Sequence, residues 1–156
     1  MIAMEIPGFG QLELAHLVSD FTGTLSVDGV LLPGVEKLLN EIAAHLTIHV
    51  VAADTLGTAR EALANLPCTV TVLQGEGIDR HKAEFVNRLG ATGVVALGNG
   101  NNDRQMLQVA RIGIAVCEGE GCGAGALFNA DVHVRSITDG LGLLLNPLRL
   151  KATLRT

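Results

Sequence analysis

The fold of this chain is decided at residues 16–29, which read HLVSDFTGTLSVDG. An apolar run over residues 14–18 ends abruptly at Ser19 and Asp20, and a short loop that contains glycine follows. This pattern predicts a buried parallel strand that carries one carboxylate to the carboxyl edge of a sheet, where ligands bind in open α/β folds. A carboxylate at that edge can act as a nucleophile toward phosphorus or as a metal ligand. An Asp that merely caps the turn after the strand is the alternative that these residues leave open.

A second polar loop follows another apolar run at residues 94–103, which read VVALGNGNND. Because the carboxyl ends of parallel strands meet at one edge, we expect this loop and Asp20 to share a crevice. Asp20 and Asp103 together suit Mg²⁺, which prefers oxygen ligands. Lys82 lies near the start of the predicted helix before this strand and can offer a positive charge to an anion in the crevice. An ordinary exposed lysine on the helix surface is the alternative for this residue.

Composition limits the kinds of protein that this chain can be. The chain has 156 residues, of which 48% are hydrophobic, so it can bury a core of its own rather than stay disordered. It has no Trp or Tyr and four Phe, so that core must be aliphatic. The formal net charge of −5 argues against a general nucleic-acid binder and is compatible with binding a divalent cation. We expect a single domain over residues 1–156.

Cysteine usage and apolar segments bear on the cellular compartment. The three cysteines, Cys68, Cys117 and Cys122, cannot all pair within one chain and contain no Cys-x-x-Cys spacing. Free thiols in a reducing cytosol are therefore the default interpretation, and a zinc site is not favoured. The N-terminus has no basic region followed by a long apolar run, and no stretch reaches the ~18–20 apolar residues of a membrane helix. We expect a cytoplasmic protein.

Strand-like apolar runs alternate with segments of helical periodicity along the chain. The runs predict strands at residues 13–18, 47–53, 69–73, 93–97, 112–116 and 132–134, with helices between them. A short hairpin is expected at about residues 1–13, and a C-terminal helix, stopped by Pro147 and followed by a basic tail, at about residues 136–156. Because the connections are too long for hairpins, the pattern predicts an α/β fold, a doubly wound, Rossmann-like parallel sheet with helices on both faces.

The motifs in these loops resemble those of a known family. The chain resembles the haloacid dehalogenase superfamily of phosphohydrolases and phosphotransferases over essentially its whole length. Within that superfamily it is similar to soluble proteins related to the phosphorylation domain of P-type ATPases. The first motif, Asp-x-x-Gly-Thr, is found at residues 20–24 and the fourth at residues 98–103, while the third-motif lysine corresponds to Lys82. Residues 146–155 resemble the C-terminal end of those soluble proteins.

The resemblance implies a role for each motif residue. Asp20 would be the nucleophile that forms an aspartyl-phosphate, and Lys82 would stabilise the negative charge of the nucleophile and the phosphoryl group. Mg²⁺ would be held by Asp20 and Asp103, with help from the backbone carbonyl of Thr22 and from Asn99. The residues expected to contact the phosphate are Thr22, Gly23, Thr55 and Asn102.

Three positions depart from the pattern of the superfamily. Thr22 stands where many phosphatases carry a second Asp as general acid and base, as it does in the ATPases. Asn99 occupies a position that is often Asp, which removes one negative charge from the metal site. Ala52 falls where a phosphate-binding Ser or Thr is expected, and Thr55 is a possible substitute. Asp54-Thr55 can equally be a pair that caps the following helix. These departures imply slow turnover.

The spacing after the first motif implies an open site. Only about a dozen residues separate Asp20 from the helix that opens at Pro33, which leaves no room for a cap domain. We therefore expect a slow, Mg²⁺-dependent phosphohydrolase that acts on a phosphorylated substrate through a phosphoenzyme on Asp20. The alternative is a regulatory or interaction module that keeps the metal and phosphate site with little or no turnover. Neither a nucleic acid nor a membrane is an expected partner, and a homo-oligomer stays open.

Overall fold

The structure is a computed structural model that describes residues 1–54 and 57–156. Its strands, in chain order, are β1 (Ile2–Ile6), β2 (Gly10–Leu14), β3 (His16–Ser19), β4 (Ser26–Val27), β5 (Val30–Leu31), β6 (Thr47–Ala52), β7 (Cys68–Val72), β8 (Val94–Gly98), β9 (Ile112–Val116) and β10 (Val132–Val134). Its helices are α1 (Val35–Ile42), α2 (Ala59–Ala62), α3 (Ile78–Leu89), α4 (Arg104–Val109), α5 (Ala124–Asn129), α6 (Ile137–Leu145) and α7 (Pro147–Leu154).

The central sheet contains six strands in the order β10-β9-β8-β3-β6-β7. All neighbouring pairs in this sheet are parallel. From β3 the chain builds β6 and β7 on one side and then returns to build β8, β9 and β10 on the other. This order confirms the predicted doubly wound sheet. It also places the carboxyl ends of β3, β6 and β8 side by side, at the point where the strand order reverses.

Apolar layers cover both faces of the central sheet. On one face, Leu17 and Val50 belong to a buried cluster that includes residues of α1, α6 and α7. On the other face, Val18 and Val51 belong to a cluster that includes residues of α3, α4 and α5. Successive residues of β3 and of β6 face opposite layers, as the two-residue period of a strand requires. Helices therefore lie on both faces, as predicted.

The interior strands β8 and β9 are buried at every residue. Strands covered on both faces read as continuous apolar runs, which is why both could be identified from sequence. Gly113 in β9 packs directly under α4, where a Cβ atom would lie 2.3 Å from the carbonyl oxygen of Leu107. Only glycine fits at this position without a shift of the helix.

Three elements differ from those predicted. The strand predicted at residues 13–18 is interrupted at Ala15, because β2 pairs with β1 in an antiparallel hairpin whereas β3 enters the central sheet. Among the described residues, the helix predicted between the strands at residues 47–53 and 69–73 is confined to the four residues of α2. Pro147 does not end the helical part of the chain. It lies in the first turn of α7, where its missing N–H removes no helical hydrogen bond.

The segment between the first motif and the first helix contains only short elements. Between Asp20 and α1 the chain forms the two-residue strands β4 and β5, which pair as a small hairpin. No cap domain covers the carboxyl edge of the sheet in the described ranges. Within the same ranges, every helix is too short or too polar to cross a membrane.

Candidate active site

The end of β3 places Asp20 at the carboxyl edge of the sheet. The backbone N–H of Asp20 donates to the carbonyl of Leu97 at 2.9 Å, which extends the pairing of β3 with β8 by one residue. Asp20 is buried, with 5% of its surface exposed. Because β8 ends beside β3, the polar loop that follows β8 lies next to this carboxylate.

Lys82 reaches the same place from the second turn of α3. Its side chain is fully buried, and its Nζ donates to Oδ1 of Asp20 and to Oδ1 of Asp103, both at 2.7 Å. The alternative of an exposed surface lysine is therefore wrong. We refer to these three residues as the Asp20–Lys82–Asp103 cluster.

Both carboxylate oxygens of Asp103 are bound by donors of the protein. Oδ1 accepts from Lys82, while Oδ2 accepts from the backbone N–H groups of Asn99 at 3.0 Å and Gly100 at 2.9 Å. The side chain is fully buried. Asp103 therefore closes the loop after β8 and pairs with Lys82. Three of the roughly four acceptor sites of this carboxylate are thus in use, and Oδ1 keeps one for a further ligand. The role of Asp103 as a metal ligand stays a prediction.

The Asp20–Lys82–Asp103 cluster has two acidic groups and one basic group in a buried space. Burial raises the pKa of Asp20, and so does the negative charge of Asp103, while Lys82 lowers it, which leaves a pKa of about 6. Burial lowers the pKa of Lys82, but the charges and hydrogen bonds of both carboxylates outweigh burial and raise this pKa above its ordinary value. At neutral pH the lysine is therefore an ammonium and Asp20 is largely ionised.

Thr24 connects the nucleophile candidate to the loop after β8. Its buried hydroxyl lies 3.2 Å from Oδ2 of Asp20 and 3.2 Å from Oδ1 of Asn99. A hydroxyl has one hydrogen to donate, so at any moment one of these two oxygens lacks this donor. Two convergent oxygens that share one hydrogen, one of them from a carboxylate, suit a hard cation such as Mg²⁺. Asp20 and Asn99 therefore fit the expected metal.

Asn99 is held from two sides. Its side-chain Nδ2 donates to the carbonyl of Gly121 at 3.1 Å, and its backbone carbonyl accepts from the N–H of Gly123 at 2.7 Å. Gly23 lies against the same side chain with φ +79°, and a Cβ atom there would lie 2.4 Å from Nδ2 of Asn99. The N–H of Gly23 donates to the carbonyl of Ser26 at 2.9 Å. Glycine is needed at position 23 for this close packing, and its contact with phosphate stays a prediction.

A pocket of about 270 Å³ opens over Asp20. It is lined by residues that follow β3, β6 and β8, namely Asp20, Thr22, Ala53, Asp54, Asn99, Gly100, Asn101 and Asn102. Asn102 is exposed, so it can meet a substrate at the rim of this pocket. A larger groove of about 580 Å³ lies elsewhere, around His45 and Cys68 and away from the carboxylates.

Thr22 contributes a hydroxyl without a partner to the pocket wall. Its Oγ1 is buried and makes no hydrogen bond to any residue in the described part of the chain. Leaving a buried polar group unsatisfied costs roughly 1–3 kcal/mol, so a donor in this position calls for a ligand that accepts from it. A phosphoryl oxygen meets that need.

The end of β6 provides fewer phosphate-binding groups than the family resemblance implies. Ala52 is buried and Ala53 lines the pocket, so neither provides a hydroxyl to a phosphate. Asp54 has φ +47°, and its Oδ1 accepts from the N–H groups of residues 58–59 at 3.0 and 3.1 Å. The helix-capping alternative is therefore confirmed for Asp54. Thr55 lies outside the described residues.

Two parts of the site were not identified from the sequence. Thr24 belongs to the Asp-x-x-Gly-Thr motif, so a signal was present although no role was assigned to it. The contact between Gly121 and Asn99 joins residues 22 positions apart, and no local pattern indicates it.

Comparison with known proteins places the chain among related sequences and folds. No family model matched the chain. The chain is 47% identical over 62 residues to an uncharacterized protein of Methanocaldococcus jannaschii, a match that covers 40% of this chain and 67% of that protein.

Solved structures share the fold at low sequence identity. One is the 3-deoxy-D-manno-octulosonate 8-phosphate phosphatase of Moraxella catarrhalis in complex with magnesium, phosphate and KDO, with a TM-score of 0.64 and 15% identity over 85% of this chain and 86% of that chain. Another is a zinc-transporting PIB-type ATPase, with a TM-score of 0.64 and 22% identity over 78% of this chain and 20% of that chain.

Proposed function

We propose that this chain, which belongs to the same family as the Methanocaldococcus jannaschii protein and has a haloacid dehalogenase-like fold, is a phosphohydrolase that forms an aspartyl-phosphate on Asp20. The observation that carries the proposal is the buried Asp20–Lys82–Asp103 cluster beneath an open pocket. Phosphoryl transfer depends mainly on positioning and on neutralising charge, and both are properties of this cluster.

Asp20 is suited to attack phosphorus. With a pKa of about 6 it is ionised in most molecules at neutral pH, yet it stays more basic than an ordinary Asp. One carboxylate oxygen attacks the phosphorus of the substrate as the bond to the leaving oxygen breaks, which gives an acyl phosphate on Asp20. Water then attacks this phosphorus, releases inorganic phosphate and restores the carboxylate.

Lys82 and Thr22 supply fixed contacts during these steps. The Lys82 ammonium, 2.7 Å from Oδ1 of Asp20, offsets the negative charge that gathers on the carboxylate and the phosphoryl group. The unpaired hydroxyl of Thr22 donates to a phosphoryl oxygen. Because both groups are held in place before the substrate binds, little reorganisation is needed at the moment of reaction.

Mg²⁺ is the metal that we propose for this site. It would be held by Asp20 and Asp103, with the side chain of Asn99 and the backbone carbonyl of Thr22. When bound, the cation would neutralise charge on the phosphoryl oxygens and help to orient the substrate. The Moraxella catarrhalis phosphatase of the same fold was crystallised with magnesium and phosphate, which supports this choice.

We also propose that turnover is slow. General acid–base catalysis typically contributes about 10²–10⁴-fold to a rate. The hydroxyl of Thr22 does not ionise near neutral pH and so cannot provide it. Ala52, the last residue of β6, adds no hydroxyl for the phosphate. This missing donor also favours the second candidate, a module that binds metal and phosphate and turns over little or no substrate.

The experiment that tests the proposal is titration with beryllofluoride and Mg²⁺, which together mimic an aspartyl-phosphate. We expect the wild type and Asp139→Asn, a control at an exposed acidic residue, to bind equally, and Asp20→Asn not to bind. Hydrolysis of an acyl phosphate and of para-nitrophenyl phosphate is measured on the same variants. Binding without hydrolysis would favour the module, whereas equal binding by Asp20→Asn would exclude Asp20 as the phosphoryl acceptor.

A further inference from the structure

A tight turn follows β9 and carries a cysteine on each side. Glu118 and Gly121 form an antiparallel bridge, and the N–H of Gly121 donates to the carbonyl of Glu118 at 2.7 Å. The turn between them is therefore two residues long. Cys117 directly precedes this bridge, and Cys122 directly follows it.

The next pair outward from this bridge is Cys117 with Cys122. In antiparallel pairing, the pair beside a hydrogen-bonded pair is not hydrogen-bonded, and its Cα atoms are about 4.5 Å apart. Disulfides need Cα atoms roughly 4.4–6.8 Å apart with side chains on the same face, and directly opposed residues meet both conditions. The bridge between Glu118 and Gly121 therefore predicts, for Cys117 and Cys122, a spacing that a cross-strand disulfide can span.

The two thiols are free, half-buried and close to each other. All three cysteines are free in the structure. Burial raises the pKa of the Cys122 thiol to about 12, with further contributions from the Cys117 thiol and from the negative charge of Asp103. Such an effect of one thiol on another requires that they are neighbours. Cys68, at the start of β7, lies in a different part of the sheet.

Cys122 is flanked by the two residues that hold Asn99. The carbonyl of Gly121 accepts from Nδ2 of Asn99, and the N–H of Gly123 donates to the Asn99 carbonyl. The turn is fixed on its other sides as well. Glu118 accepts from the N–H of Ile137 at 2.7 Å, and Glu120 accepts from that of Asp28 at 3.1 Å. A bond between the thiols would thus close the segment that positions Asn99.

We propose that Cys117 and Cys122 form a redox modification site, which reacts with low-molecular-weight disulfides to give an intramolecular disulfide across the turn. The thiolate of Cys117 attacks one sulfur of the external disulfide, forms a mixed disulfide and releases one thiolate. The thiol of Cys122 then attacks the sulfur of Cys117, and its proton passes to the second leaving thiolate. The protein loses two electrons and two protons, and the external disulfide becomes two thiols.

The bond would form without a rearrangement of the backbone, so it should hold the turn and its contacts with Asn99 as they are. Closing even a short loop restricts the unfolded chain, and we expect the oxidised protein to melt about 5 °C above the reduced protein. This inference does not depend on the proposed phosphohydrolase activity, because thiol content and melting temperature are measured without turnover.

The test is treatment of the whole chain with oxidised glutathione, followed by counting of free thiols and peptide mapping by mass spectrometry. We expect one free thiol in the wild type, at Cys68, and none in Cys68→Ser, each with a peptide that joins Cys117 to Cys122. Cys117→Ser and Cys122→Ser should form no intramolecular disulfide and show no rise in melting temperature. Three free thiols in the treated wild type, or a disulfide that includes Cys68, would overturn the proposal.

Discussion

A single ammonium determines the chemistry of the candidate site. Lys82 lies between Asp20 and Asp103, 2.7 Å from each, and no part of its side chain is exposed. Without it, two buried carboxylates would face each other with no compensating charge. Its length also matters, because a side chain from α3 must reach across to the end of β3.

Replacing this lysine should therefore damage stability as well as chemistry. We expect Lys82→Met to lower the free energy of unfolding by about 3–5 kcal/mol, the usual cost of breaking a buried ion pair from one side. Lys37→Met, at an exposed lysine 3.8 Å from Glu41, should change it by less than about 1 kcal/mol. Urea denaturation at neutral pH measures both. Equal effects of the two substitutions would mean that the buried cluster is not ionised.

The raised pKa of Asp20 makes a prediction about pH. An acid whose pKa is about 6 in the folded chain and near the ordinary Asp value of 3.8 in the unfolded chain binds more protons when folded. Its contribution to stability therefore falls as pH rises from about 4 to 6 and stays constant above that range. We expect metal-free Asp20→Asn to melt above the wild type at pH 7.5 and the difference to shrink below pH 5. Thermal melts in chelator test this, and a difference that grows in acid would contradict it.

Thr22 offers a test of why turnover should be slow. Thr22→Asp would put a carboxylate two residues after Asp20, the position at which the family resemblance predicts a general acid and base. We expect hydrolysis of para-nitrophenyl phosphate to rise by ~10-fold, less than the full effect of such a group because its geometry is not optimised. Mg²⁺ must be saturating, since the added charge can also change metal affinity. Thr22→Asn is the matched control without the charge, and an equal gain in that variant would exclude acid–base catalysis.

The elements of the fold differ in how well they could be predicted. The buried strands β8 and β9 read as unbroken apolar runs, and such runs have few alternatives. No pattern indicates the break at Ala15, because alanine fits a strand, and only pairing shows that β2 and β3 belong to different sheets. α7 does not follow from the sequence pattern, because a proline at position 147 can either stop one helix or begin the next, and here it lies in the first turn of a helix.

The close approach of α4 to β9 depends on the absence of a side chain at Gly113. We expect Gly113→Ala to lower the free energy of unfolding by about 1–3 kcal/mol, because the new Cβ would lie 2.3 Å from a backbone oxygen that cannot move alone. Gly142→Ala, inside α6, would bring the new Cβ near only the flexible side chain of Arg149, at 4.0 Å, and should raise stability by about 0.5–1 kcal/mol. Denaturant unfolding of both variants checks this. An unchanged free energy of unfolding in Gly113→Ala would show that α4 can shift.

The molecule as a whole brings its chemistry to one edge by its topology. Reversal of strand order at β3 puts three loops side by side, and the alternation of strands and helices was enough to predict that. The place of Asp20 at this edge could be predicted for the same reason. The hydrogen bond from Lys82 to Asp103 and the one from Asn99 to Gly121 could not, because both join segments that are far apart in sequence.

Ligand binding should therefore stabilise the entire fold. A ligand that binds only the folded chain adds about 2.7 kcal/mol when its concentration is 100 times its dissociation constant. For Mg²⁺ with beryllofluoride we expect the melting temperature to rise by roughly 5–10 °C in the wild type and not in Asp20→Asn. Differential scanning fluorimetry measures both. A rise of the same size in the variant would place the ligand elsewhere on the molecule.

The full burial of Lys82 also has a consequence for chemical labelling. Amine-reactive reagents need a solvent-exposed, uncharged amine, and Lys82 meets neither condition while the chain is folded. Lys37, whose side chain is 82% exposed, is open to them at once. The amine on which the candidate site depends is thus shielded from acylation and glycation, and the rate at which it is labelled reports how often the folded chain opens.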